Sequence, residues 1–316
     1  MAAKPGDSNL SIAWAALPGS QRRRLVPLWT LLLFRIVRLP NPAFHSLLRK
    51  LTRRPSHPRF NWQFIATLPN SGSTALAMLL ETSPASVALT DNAEAQWLIP
   101  ELSAPVGRWR ADTPLDHERI ARVWRTAARN RVAAEGIASD PVLVIEKSPP
   151  NMVRMQVLLD TFAEEKPQVL VYTRNPFAIC ASWKKRMPPE RIAEEWGEAA
   201  GPEETYANLL GRICGSRMKI LAGLLPLARM KLSYEELTAD PDATAAAIAR
   251  KWPLLTGMRT GADISVKDYK PQSLKDMNGE QLRTLTDAEI SDIAAGLAPY
   301  ADSIQALGYS AASPTV

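Results

Sequence analysis

Gln63-Phe64-Ile65-Ala66-Thr67-Leu68-Pro69-Asn70-Ser71-Gly72-Ser73-Thr74 is the stretch that decides the fold. Gln63 to Leu68 reads as a buried strand, Pro69 to Ser73 as a tight loop, and Thr74 to Glu81 as a helix. Strand, loop and helix in this order offer an anion consecutive backbone N–H groups and a helix N-terminus. The hydroxyls of Ser71, Ser73 and Thr74 can add donors. A nucleoside triphosphatase loop reads G-x-x-x-x-G-K-[ST], and here both the first Gly and the Lys are missing. That argues against ATP hydrolysis and for a nucleotide with a shorter 5′ anion. Ser-Gly-Ser-Thr also occurs as an ordinary helix cap, so a second element has to decide.

Outward from this stretch, short apolar runs alternate with helical segments, the signature of parallel βα units. The pattern predicts further strands at Ser86 to Leu89, Val142 to Ile145, Val169 to Tyr172 and Met230 to Ser233. Helices are predicted at His117 to Glu135, Met152 to Glu164, Phe177 to Arg186, Glu203 to Leu225 and Pro241 to Trp252, with two more pieces at Thr286 to Ala295 and Pro299 to Leu307. Asp263 to Glu280 is polar and reads as a long loop. The class is α/β: a three-layer fold with a central, mainly parallel sheet flanked by helices. The second element is Val169-Leu170-Val171-Tyr172-Thr173-Arg174-Asn175-Pro176. An Arg at the C-terminal end of such a strand points into the crevice where α/β proteins bind ligands, and its fork suits a phosphate dianion. Pro176 fits the first turn of the next helix, and Ser182 follows eight residues after the Arg.

Together the two elements resemble the P-loop sulfotransferases, which use 3′-phosphoadenosine 5′-phosphosulfate (PAPS) as donor. The 5′-phosphosulfate loop of that family, P-[KR]-[ST]-G-[ST]-T, is matched by Pro69 to Thr74 except at Asn70. Its 3′-phosphate motif, R-[DN]-P with a Ser eight residues after the Arg, is matched by Arg174, Asn175, Pro176 and Ser182. Three further stretches look like the tyrosylprotein sulfotransferase branch and its bacterial relatives. Glu146-Lys147-Ser148-Pro149 is similar to the K-x-P loop, whose Lys approaches the transferred sulfate. Ala93-Glu94 through Ile99-Pro100 resembles the stretch whose Glu is the catalytic base, and Leu232-Ser233-Tyr234-Glu235-Glu236-Leu237 the one whose Tyr lies near the adenine. The resemblance spans roughly residues 60 to 240 and implies a P-loop-type fold and a donor site.

The roles it implies are Glu94 as general base and Lys147 as the main charge stabiliser. The 5′-phosphate falls to Asn70, Ser71, Gly72, Ser73 and Thr74, the 3′-phosphate to Arg174 and Ser182, and the adenine end to Tyr234. Asp91 is the competing carboxylate, while His117 opens a helix and reads as a surface residue. In the long loop, Lys267, Lys270 and Ser273 are further candidate contacts to the nucleotide. Asn70 stands where the family carries Lys or Arg, and losing one such donor typically costs about 3 kcal/mol of transition-state stabilisation. Either Lys147 takes over that work, or the enzyme is slow, or the site binds PAP or PAPS with little turnover. The acceptor is a hydroxyl on a protein tyrosine, a glycan, a lipid or a small molecule.

Charge divides the 316-residue chain. Residues 1 to 80 carry eleven Lys and Arg against Asp7 alone, a charge of +10, whereas the remaining 236 residues hold 27 against 31, a charge of −4. The expected organisation is a basic N-terminal helical arm, 1–60, and a sulfotransferase domain, 61–316. Leu25 to Phe34 is apolar but only ten residues long, where a bilayer span takes roughly 20. Arg35 and Arg38 follow in place of a small-residue cleavage site, so a signal peptide is a poor fit. An apolar run flanked by Arg clusters fits a segment lying on an anionic membrane face, where each cation contributes about 1 kcal/mol. The bland alternative is an amphipathic helix packed on its own body. A membrane-binding adaptor remains a competing function, and nucleic acid is not expected, for want of a recognisable module. Cys180 and Cys214 lie far apart in the chain and the three histidines are scattered, so neither a disulfide framework nor a metal is expected. These features place the protein in the cytoplasm, peripheral on the inner face of a membrane if the arm binds one.

Overall fold

Five short strands pair in parallel, four of them buried on both faces and the fifth at the sheet edge, and everything else is arranged around them. In the computed structural model, which describes residues 58–262 and 273–314, these are β1 (Phe60–Thr67), β2 (Ser86–Ala88), β3 (Val142–Glu146), β4 (Gln168–Thr173) and β5 (Ala228–Ser233). Their order across the sheet is β2-β3-β1-β4-β5, and every pair is parallel. β1 is central, with Phe64 opposite Glu146 on one side and Val169 on the other. The basic arm up to His57 lies outside the described residues, as do Lys267 and Lys270. Among the described residues no helix is long and apolar enough to cross a membrane.

β1 to β4 are covered on both faces and read as near-continuous apolar runs, whereas β5 at the edge buries only Leu232, and alternation along the strands sorts side chains into two cores. Trp62, Phe64, Val142, Val144, Val169 and Val171 pack into one, Ile65, Leu143, Ile145, Leu170 and Tyr172 into the other. The first core is aromatic at its centre. Trp62 lies 4.2 Å from Phe162 and 6.1 Å from Trp124, ring centre to ring centre, and the Trp124 and Phe162 rings stack at 5.8 Å.

Among the described residues the helices of five or more residues are α1 (Ser73–Glu81), α2 (His117–Glu135), α3 (Met155–Thr161), α4 (Pro176–Arg186), α5 (Pro189–Trp196), α6 (Tyr206–Gly223), α7 (Tyr234–Ala239), α8 (Pro241–Lys251), α9 (Asn278–Leu282), α10 (Asp287–Leu297) and α11 (Ala301–Ala306). Asp116 caps α2 by accepting from the Arg119 N–H, and Gly136 ends it in the left-handed conformation. One prediction needs correction. The helix expected over Met152 to Glu164 is three pieces, a 3₁₀ segment Pro149–Arg154, α3, and a second 3₁₀ turn Ala163–Glu165. The break follows from Arg154, which turns inward to donate to the carbonyls of Arg108 (2.8 Å) and Arg110 (3.0 Å). The long loop expected over Asp263 to Glu280 contains the start of α9 at its end. The two cysteines are buried and unbridged.

Phe162 makes ring contacts with Trp62, Phe64 and Trp124 and carries no polar atom. Phe162→Ala should destabilise the fold by about 3–5 kcal/mol, measured by urea unfolding, without moving any residue of the site described next.

Candidate active site

A parallel sheet puts the C-terminal ends of its strands on one edge, and here the segments leaving all five strands converge there. The cleft between them has a volume of about 560 Å³. Pro69, Asn70, Gly72, Ser73 and Thr74 after β1, Glu94 beyond β2, Lys147 after β3, Arg174 and Ser182 after β4, and Tyr234 after β5 all line it. The sequence-predicted residues are therefore brought together, except for the side chain of Ser71.

Ser71 is fully buried, and its hydroxyl donates to the Leu68 carbonyl (2.7 Å) and meets Thr67 Oγ1 (2.5 Å). That bond holds the loop in shape, and what Ser71 can offer an anion is its backbone N–H. Asn70 adopts φ +61° and Gly72 φ +82°. Among non-glycine residues Asn tolerates the left-handed region well, so a conformational demand accounts for its presence. Gly72 is needed twice over: besides its φ, a Cβ there would lie 2.6 Å from the Tyr234 ring. α1 begins at Ser73 with no side-chain cap and no acidic residue in its first turn, which leaves its N-terminus facing the cleft. From the other side, the indole N–H of Trp183 on α4 holds the Pro69 carbonyl at 3.1 Å.

Lys147 and Glu94 form an ion pair at 2.7 Å, their side chains 1% and 13% exposed. Lys147 Nζ also donates to Thr74 Oγ1 at 3.0 Å, so the cation sits at the end of the loop even though it arises from β3. Glu94 Oε2 accepts from the Trp97 indole (2.9 Å) and the Gln96 amide (3.2 Å). Asp91, the competing carboxylate, does not line the cleft; its side chain is 99% exposed and reaches Arg131. His117 opens α2 and does not line it either.

Arg174 is 3% exposed, and burial lowers its pKa from the usual arginine value. Its guanidinium lies 4.1 Å above the Tyr234 ring. Nη1 donates to the Asn70 carbonyl (3.0 Å) and Nε to Asn278 Oδ1 (2.7 Å), while Nη2 is buried with no partner among the described residues. A buried donor left unmet is costly, and a bound anion would satisfy it. Sequence reasoning missed the residues that aim this arginine. Asn278 passes its amide to Glu235 (2.7 Å), and Glu235 also accepts from the Asn175 N–H (3.0 Å) and the Tyr309 hydroxyl (2.6 Å). Glu235 was quoted only as part of a motif, and nothing around Asn278 marks it. The Tyr234 hydroxyl donates to the Lys275 carbonyl (2.8 Å) and accepts from the Met277 N–H (2.9 Å), which fixes the segment that brings Ser273 to the cleft. Tyr234 thus supports Gly72, Arg174 and this segment at once.

Beyond Lys147 the cleft is walled by Trp97, Trp109, Trp196, Pro149, Pro150 and Met187. Arg108, Arg191 and Glu195 form an ion-pair chain along it, with Arg108 to Glu195 at 2.9 Å and Arg191 to Glu195 at 2.6 Å. This end of the cleft is aromatic and ion-paired, unlike the loop side. Among the described residues no cluster of His, Cys, Asp and Glu could hold a metal ion.

The profile of the sulfotransferase family matches residues 63–252, which include the loop, Glu94, Lys147, Arg174, Ser182 and Tyr234. The chain belongs to the sulfotransferase family. Solved structures with similar folds include the sulfotransferase domain of the Synechococcus PCC 7002 olefin synthase, 20% identical with a TM-score of 0.43 over 78% of this chain and 97% of that one. The sulfotransferase from Alicyclobacillus acidocaldarius is 16% identical, with a TM-score of 0.44 over 79% and 95%. STF1 from Mycobacterium tuberculosis is 15% identical, with a TM-score of 0.42 over 76% and 81%. No curated protein sequence matches the chain. As a sulfotransferase the protein is an enzyme that moves a sulfuryl group.

Next to Lys147 in this sulfotransferase, burial pushes the carboxyl of Glu146 up to about 7, against the opposing pull of Ser148 and Lys147. Between about pH 4.5 and 7 the unfolded chain has released the proton that the folded carboxyl still holds. Stability therefore falls as pH rises through that window, by about 3 kcal/mol in all. Glu146→Gln should flatten this slope in urea unfolding curves taken from about pH 5 to 8.

Proposed function

We propose that the sulfuryl donor is PAPS and that the acceptor is a hydroxyl group, with transfer by in-line displacement. The observation that carries this reading is the unmet Nη2 of Arg174, buried at the opposite side of the Asn70–Thr74 loop from the Lys147–Glu94 pair. A donor carrying two separated anionic groups matches that layout, with its 3′-phosphate at Arg174 and Ser182. The backbone of Asn70, Ser71, Gly72, Ser73 and Thr74 would hold the 5′-phosphate. Tyr234 would bound the adenine end.

In this reading Glu94 takes the proton of the acceptor hydroxyl as the new O–S bond forms, and Lys147 stabilises the charge left on the 5′-phosphate oxygen as its bond to sulfur breaks. The resting ion pair brings both groups to the same end of the cleft, and in-line transfer requires the pair to open so that Glu94 and Lys147 flank the sulfur from opposite sides. Lys147 reaches Thr74 at the end of the loop, so a cation is supplied there from β3 in place of the Lys or Arg that Asn70 replaces. This favours turnover over mere binding.

Isothermal titration with PAP, alongside a transfer assay on a broad acceptor panel, tests the assignment. Arg174→Ala should weaken PAP binding about 10- to 100-fold, the value of a charged hydrogen-bonded contact. Glu94→Gln should lower transfer by a factor on the order of 10² or more with PAP affinity within a few-fold, the signature of a lost base. Lys147→Ala should lower transfer by about 10²–10³. Binding without transfer in the wild type would instead favour a nucleotide-binding protein with little activity.

We also propose that the chain divides into a membrane-attaching arm, 1–60, and the sulfotransferase domain, 61–316. The +10 charge of the first 80 residues against −4 in the rest supports this. The full chain should float with anionic vesicles in a salt-sensitive way, and a truncation ending at Arg59 should not.

A further inference from the structure

Glu146 closes β3 with 1% of its surface exposed, and none of the roles above uses it. Its Oε1 accepts from the Ser148 hydroxyl. The same hydroxyl oxygen accepts from the backbone N–H of Gln96 at 3.1 Å. Gln96 lies in the 3₁₀ turn Ala95–Leu98, which starts immediately after Glu94 and carries Trp97. The turn follows Ala93, held at φ +60°, a conformation that persists only where its surroundings fix it. Two further ties hold it: Lys147 N–H to Ala93 O (2.7 Å) and Trp124 Nε1 to Ala95 O (3.1 Å). Of these three ties only the one through Ser148 continues to a carboxylate, and the side chains of Gln96 and Trp97 reach a second one, that of Glu94.

We propose that Glu146, acting through Ser148, is a positioning residue that sets the turn carrying Glu94 and Trp97. The proposal rests on the reading of Glu94 as the base. A hydroxyl has a single proton. With Glu146 ionised, that proton points to the carboxylate, and the lone pairs of Ser148 are left for the Gln96 N–H. With Glu146 protonated, the acid becomes a second donor competing for the same hydroxyl, and the order of the chain is no longer fixed. The charged and polar groups facing Glu146 are Lys147, Arg154, Ser148 and Asn151. Burial outweighs their pull toward the carboxylate and sets the change near pH 7. Glu94 receives Lys147, Trp97 and Gln96 together, so a shift of the turn moves its whole hydrogen-bond set.

The decisive measurement is ¹⁹F NMR of full-length protein labelled with fluorotryptophan, the Trp97 signal being assigned through Trp97→Phe. In the wild type that signal should titrate once, with a midpoint near pH 7. In Glu146→Gln it should stay flat, and in Ser148→Ala it should be flat and displaced. Transfer kinetics give the second readout. Ser148→Ala and Glu146→Ala should lower kcat about 10-fold with PAP affinity unchanged, as expected for a misplaced base. Glu146→Gln, which keeps an acceptor for Ser148 but adds a donor as the protonated acid does, should hold kcat at the wild-type low-pH value and remove the pH dependence around 7. A Trp97 signal that titrates identically in all variants overturns the proposal. A wild type that transfers to no acceptor removes Glu94 from its role, and the NMR result then still decides whether Glu146 sets the turn.

Discussion

Burying β1 between two parallel neighbours is the constraint from which the rest follows. A strand hydrogen-bonded on both edges and covered on both faces has no route to solvent except at its ends. With every strand running the same way, the five C-terminal ends form a single rim. The chain's polar and glycine-containing segments collect there because backbone groups leaving a buried sheet need partners that an apolar core cannot supply. The order β2-β3-β1-β4-β5 adds a second consequence, since the chain leaves β1 toward one side of the sheet and later crosses to the other. The crevice opens at that reversal, with the loop in the middle, Lys147 to one side and Arg174 to the other.

The two central cations are held in different ways, and the difference matches what each faces. Lys147 is paired with a carboxylate, so its charge is compensated before any ligand arrives. Arg174 pairs directly with no carboxylate among the described residues, although Glu235 and Asp276 act on it from a distance. It is supported by an aromatic face, a main-chain carbonyl and an amide oxygen, none of which cancels a full charge. A guanidinium kept dry under those conditions is a stronger attractor for a dianion than one already in a salt bridge.

Much of this was legible in the sequence, because β1 to β4 are buried on both faces and their apolar runs stand out, while β5 shows in the alternation of Met230 and Leu232 with polar residues. All five were placed to within three residues at each end, and His117 to Glu135 was placed to the residue, since Asp116 and Gly136 mark its ends locally. The residues that line the cleft were picked out through loops tied to those strands. What escaped depends on contacts between distant segments. The turning of Ser71 is decided by Thr67 and Leu68 within a folded loop, and the break before Met155 by two carbonyls more than forty residues upstream. Asn278 carries no local sign of its bond to Arg174, and Trp183 none of its bond to Pro69. By motif Asn70 read as the loss of one cationic donor, with its effect on activity left open. The backbone angle shows a positive reason for it.

The contact between Gly72 and the Tyr234 ring bears on how such enzymes can be recombined. The anion loop near the start of the domain and the end of its last strand are fitted to each other to within the width of one methyl group. Tyr234 in turn fixes the segment around Lys275 and Met277. A chimera that took the loop from one parent and the C-terminal third from another would inherit both motifs intact and still lose the fit between them. In this fold the exchangeable unit is therefore the loop, the tyrosine and the segment that the tyrosine holds, taken together.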